Sequence, residues 1–106
     1  MIPIQEGADA DPVVTTVLEA LNLRDLIELL DEVCRRRAVT PHEVCGLAQT
    51  KAVASARHEL WWRLRHHPEA SFSFQEIGRI FRRHHTTVIH GVRAHCRRLA
   101  HRAMTT

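Results

Sequence analysis

Tyrosine is absent from this chain of 106 residues, and glycine occurs only four times. β-rich domains lean on aromatic and β-branched strands closed by glycine turns, so the scarcity points to a helical chain. No apolar run approaches the roughly 20 residues that a membrane span requires, which predicts a soluble protein with no membrane partner. No Gly-x-x-x-x-Gly-Lys-Ser/Thr string occurs, so neither a phosphate-cradling loop nor a bound nucleotide is expected. Cys-x-x-Cys is missing as well. Three cysteines, Cys34, Cys45 and Cys96, cannot all pair with one another. With no signal peptide legible, they are expected as reduced thiols in the cytosol. The adjacent pairs His66-His67 and His84-His85 diverge around a helix, and His85, His90 and His95, spaced by five, do not stack. No metal and no other cofactor is therefore predicted. No Cys/His or Ser/His/Asp arrangement suits a nucleophile, and Cys96 falls on an apolar stripe, so catalysis is not expected. Strand alternation and internal repeats are also lacking.

Acidic residues end early. From Arg79 to the C-terminus there is no Asp or Glu. Residues 1–50 hold four arginines against nine acids, a formal charge of −5, whereas residues 51–106 hold ten arginines and one lysine against three acids, or +8. Such a division is expected where one half faces a polyanion, the bland alternative being a solvated basic face with no partner.

What is present fits one domain large enough to close a core without metals or disulfides. Residues 1–10 carry Pro, Gly and small side chains without periodicity and are expected to form a flexible arm. Asp11-Pro12 reads as a cap with proline in the first helical position, followed by Val13/Val14, Val17/Leu18 and Leu21 at helical spacing, a helix over 11–23. A second helix is predicted from Asn22, with Leu23, Leu26, Ile27, Leu30 and Val33 on one face. Its Arg35-Arg36-Arg37 end suits the dipole or, alternatively, a phosphate. Thr40-Pro41-His42-Glu43 has the form of a capping box, and Gly46 can end the short helix it begins. Thr50 can cap the next helix, which should run to about His67, where Pro68 stops it. Trp61 is placed in the core; Trp62 falls on the opposite side and should pack on a different element, the N-terminal helix being one candidate, or on another protein chain.

Ser73 and Glu76 form a second capping box. It opens a short helix with Phe74, Ile77 and Phe81 buried. A basic turn follows, and then a last helix whose inward stripe is Val88/Ile89, Val92, Cys96 and Leu99. Thr86, Thr87, His90, Arg93 and Arg97 face outward. This is the pattern of a helix-turn-helix, whose second helix sets its N-terminal side chains against base edges in the major groove. Thr86 and Thr87 are short groups able to hydrogen-bond a base or touch a thymine methyl, and Arg82 and Arg83 stand where a guanidinium can reach a guanine edge or a phosphate. The helix start adds unpaired N–H groups.

Ser-Phe-x-Glu-Ile-Gly-x-x-Phe followed by His-Thr-Thr-Val-Ile-His resembles the C-terminal DNA-binding domain (domain IV) of bacterial replication initiators of the DnaA family. Upstream, Val33 to Gly46 and the basic stretch Lys51 to His58 are similar to the same domain, and about residues 24–101 fit it. The domain is set at 24–106, standing alone without an ATPase. The resemblance implies an all-α helical bundle with a helix-turn-helix, of the kind shared with the tryptophan repressor. By the same resemblance His85, Thr86 and Thr87 read bases, Phe74 and Gln75 lie near the DNA, and Arg57, His58 and Arg65 approach phosphates. Lys51 lies in the stretch that sends a basic side chain into the minor groove. Arg57 also sits toward the apolar stripe of its helix, where a structural ion pair competes with the phosphate role.

Three departures stand out. His84 occupies the place of the family's acid, which should change the base preferred there. Uncharged Gln49 falls where the family has its minor-groove arginine, and the connection around Pro68–Ser71 is longer. The expected function is sequence-specific binding of double-stranded DNA at a DnaA-box-like site, as a transcription or replication regulator in the cytoplasm, associated with the nucleoid. The alternative is a protein-interaction adaptor that keeps the fold without the reading. Residues 11–37 and Trp62 are the candidate homodimer or partner contact.

Overall fold

A computed structural model describes residues 11–105, and the arm expected over residues 1–10 lies outside them. The described residues form six helices and no strand. In helix α1 (Pro12–Leu23) the Asp11 carboxylate accepts from the Val13 amide at 2.9 Å, and Pro12 sits where no N–H is needed. Val14, Val17 and Leu21 turn into the core. The helix does not give way to a second one at Asn22. Asn22 and Leu23 complete α1, and Leu23 is 83% exposed rather than inward. The break comes at Asp25, whose left-handed backbone (φ 57°) lets the Leu26 amide reach back to the Leu21 carbonyl at 2.9 Å. Leu26 then plugs the core beside this turn.

Helix α2 (Ile27–Arg37) buries Leu30, Val33 and Cys34. Its terminal arginines have an internal partner: Arg36 and Arg37 both bind the carboxylate of Glu59, which also accepts from Arg63 at 3.1 Å. The Glu59 side chain is only 4% exposed, so its charge is neutralised between helices, while Arg36 stays half exposed. Helix α3 (Pro41–Cys45) starts at the reciprocal Thr40–Glu43 box and stops at Gly46. Helix α4 (Lys51–Arg65), capped by Thr50, ends two residues short of His67. The Leu64 carbonyl accepts from the His67 and Phe72 amides instead, so Pro68 lies within the following turn and not at the helix end.

Helices α5 (Phe74–Phe81) and α6 (His85–Thr105) complete the bundle, with α6 lying across α4 and α5. Trp61 is buried at their junction, edge-on to Phe81 with ring centroids 5.9 Å apart. The close approach of α4 and α6 rests on Gly91: a Cβ there would stand 2.7 Å from both His58 and Trp61. Trp62 packs on a different element, as expected, and that element is α6. It leans on His95 of α6 at 5.2 Å and on His66 at 4.9 Å. Cys96 is exposed, not inward. Eight residues beyond Val88 it is turned about 80° from that line, and the stripe runs through Val92 and buried His95 instead. Helix α1 spends Val14, Val17 and Leu21 inside this chain's own core.

Candidate nucleic-acid interface

The Ser73 hydroxyl accepts from the Glu76 amide at 3.1 Å, and the Glu76 carboxylate accepts from the Ser73 amide at 2.8 Å, so both ends of the capping box close. These bonds hold the Glu76 carboxyl below its ordinary pKa. Ile77, Ile80 and Phe81 anchor α5 from beneath. Helix α5 ends at Arg82, left-handed at φ 57°, and the Arg83 amide returns to the Gly78 carbonyl at 2.8 Å. Gly78 is required by this tight return, since a Cβ would lie 2.6 Å from the Arg83 carbonyl oxygen.

His84 then caps α6. Its carbonyl accepts from the Thr87 amide at 3.0 Å, and its ring Nδ1 accepts from the Thr86 amide at 3.2 Å. The Thr86 hydroxyl meets the same nitrogen at 2.7 Å, and the ring stacks on His85 at 4.5 Å. From this start, Val88 and Val92 lock the helix inward while Thr86, Thr87, His90 and Arg93 are exposed. Thr86, His90, Arg93 and Arg97, spaced by four, three and four, share one outer stripe. Arg82 and Gln75 are also exposed. Between the two helices lies a shallow hollow of about 300 Å³, lined by Gln75, Arg79, Arg82, Arg83, His84 and His85. Arg79 was missed in the sequence; its spacing of four from Gln75 was the available signal.

Other expected contacts are placed differently. Arg57 is 3% exposed. Its guanidinium donates to the carbonyls of Val44, Glu43, Gly46 and Ala48 at 2.9–3.1 Å. Burial, with Arg83 close by, lowers its pKa to about 10, still charged at neutral pH. A guanidinium so engaged cannot reach a phosphate without abandoning four carbonyls, so the structure assigns Arg57 to the fold. It is no ion pair either, because its partners are backbone oxygens. His58 is likewise turned inward, against Trp61 and accepting from Arg98 at 3.4 Å. Burial first, then Arg98, depresses its pKa to about 4, so it carries no positive charge to a phosphate at neutral pH.

Arg65 is half-buried over the Phe74 ring, 5.1 Å from its centroid, and Phe74 itself packs on the core. Both brace the start of α5. Arg83, partly buried and with its pKa lowered by that burial, donates to the Gly46 carbonyl at 2.9 Å. It therefore ties the turn to the loop before α4, at whose exposed first position Lys51 stands. The surface that remains comprises Lys51, Gln75, Arg79, Arg82, His84, Thr86, Thr87, His90 and Arg93. Among the described residues no group of three or more metal-ligating side chains is assembled, and no helix is long and apolar enough to cross a membrane.

Comparison with known proteins agrees with this geometry. A family model described as the bacterial dnaA protein helix-turn-helix matches residues 27–94, from the start of α2 into the middle of α6. No curated protein and no solved structure gave a match.

Proposed function

The chain belongs to the bacterial DnaA helix-turn-helix family, a DNA-binding family, and from that premise we propose that it reads duplex DNA sequence-specifically as a transcription or replication regulator. One observation carries the reading. The first turn of α6 is exposed at Thr86 and Thr87, while the back of the same helix is fixed by Val88, Val92 and the Gly91 contact. A rigid rear with short polar groups in front is what insertion into a major groove requires. Arg82 and Arg93 flank the tip as phosphate contacts, and Lys51 reaches the backbone from the neighbouring helix start.

Selection of bound duplexes from a random pool tests this. The expected result is a defined site, related to initiator-type boxes, with Thr87→Ala losing preference at particular base pairs. Binding with equal strength to every duplex would remove the sequence-reading function. The rival reading, an interaction adaptor, draws on the open groove beside Trp62, which Leu29 and Leu99 also line. A mobility shift that stayed blank at low salt, where phosphate contacts are strongest, would favour that rival.

A further inference from the structure

We propose that the groove between α2, α4 and α6 binds a small organic anion, a flat apolar molecule carrying one carboxylate or similar group. The site shares no residue with the surface assigned to DNA, so it stands apart from the sequence-reading function. Its volume is about 640 Å³, within the range of small-molecule sites. Leu26, Leu29, Trp62 and Leu99 supply the apolar part of its lining. The Trp62 indole leans on both His66 and His95, so a ring is already held in place for a flat ligand to lie on.

Charge is unevenly spread along the groove. Asp25 and Glu28 line it at the start of α2, and Arg36 stands about 12 Å beyond Glu28 at the helical rise. At the arginine end, Arg36, Arg37, Arg63 and Arg102 face two carboxylates, Glu59 and Glu32. Positive charge is left over there. Arg37 registers it, with a pKa lowered by burial first and then by Arg36, Arg98, Arg102 and Arg63. His95 lines the groove among the same groups; burial, then Arg37, Arg98, Arg102 and Arg63, brings its pKa down to about 4. Its residue is only 4% exposed, and among the described residues its buried Nδ1 has no hydrogen-bond partner. An orphaned buried nitrogen calls for a partner. An anion entering at this end supplies an acceptor to the imidazole and relieves the repulsion among the guanidinium groups. Arg36 is half exposed and can turn to it, since Glu59 keeps Arg37 and Arg63. The acids at the other end disfavour a second negative group, which selects a monoanion.

Amide chemical shifts of the full chain, followed during titration with four probes, test the site. Naphthoate has rings and one charge, naphthylmethanol the rings alone, and inorganic phosphate the charge alone. A naphthalene dicarboxylate with its groups at opposite ends carries a charge too many. Naphthoate should saturate, moving Leu29, Trp62, His95 and Leu99, and should bind at least about tenfold tighter than any of the other three. Arg36→Gln should remove most of the advantage of naphthoate over naphthylmethanol, whereas Leu99→Ala should weaken both naphthalenes alike. Equal affinity for naphthoate and naphthylmethanol would overturn the proposal, as would the absence of any saturable shift at those four residues. Shifts gathered at the start of α6 would mark anion binding on the DNA surface; they too would overturn this site, and they would leave the sequence-reading function standing.

Discussion

A guanidinium among carbonyls stabilises a fold by leaving none of them unpaired, and Arg57 does so for four. Arg57→Met keeps the length of the stem but strands buried acceptors, so it should lower unfolding free energy by about 3 kcal/mol or more in urea titrations. An unchanged midpoint, together with weaker binding to every duplex, would restore Arg57 to the phosphate role. The histidines give a pH signature. His58 and His95 both have folded pKa values of about 4 against an ordinary 6.5, from burial first and nearby arginines second. Below about pH 6.5 the unfolded chain takes up protons that the folded one refuses. Stability is thus fully present above that pH and falls as the pH drops toward 4. Each histidine contributes a slope of up to about 1.4 kcal/mol per pH unit in that window. Urea midpoints measured across it should decline on acidification, and His58→Gln should flatten the decline. Neither burial was legible beforehand. His58 carries a basic label in the sequence, and His95 sits among polar neighbours; only the packing of α4 on α6 shows what they face.

At the level of elements, the capping boxes at Thr40 and Ser73 and the proline start at Pro12 were readable because their chemistry is local, each donor and acceptor lying within three residues. The start of α2 was not. Periodicity marks a face but not a chain reversal, and the reversal depends on Asp25 taking a left-handed backbone that glycine usually supplies. Cys96 was misplaced for a related reason: a helical stripe follows the partner it meets, and near its centre α6 turns His95, not Cys96, toward Trp62 of α4. The helix-turn-helix was legible because the Ser73 box marks the start of α5 locally, whereas the part of Gly78 in the turn and of Arg79 in the hollow shows only in the packing. Two glycines test these contacts. Gly91→Ala sets a methyl against rigid Trp61 and should destabilise the protein by about 1–3 kcal/mol, visible as a lower melting temperature. Gly78→Ala meets a backbone oxygen at 2.6 Å, so the turn must open. DNA affinity should fall further than stability alone accounts for, measured by mobility shift well below the melting point.

Over the whole molecule, charge and fold divide the labour. Within residues 51–106 Arg57 is buried among carbonyls and Arg83 is tied to the Gly46 carbonyl, so the +8 of that half overstates what faces DNA. Each phosphate neutralised contributes about −0.9 to the slope of log affinity against log salt. Arg93→Ala should make that slope shallower by about one while leaving the preferred sequence unchanged, whereas Thr87→Ala should alter the sequence and spare the slope. The central claim is that the exposed first turn of α6 is what enters the duplex. Amide chemical shifts followed during titration with a selected duplex test it most directly. The largest changes are expected from His84 to His90, with Gln75, Arg79 and Arg93 beside them. Changes gathered instead around Leu29, Trp62 and Leu99, with the α6 start untouched, would contradict it.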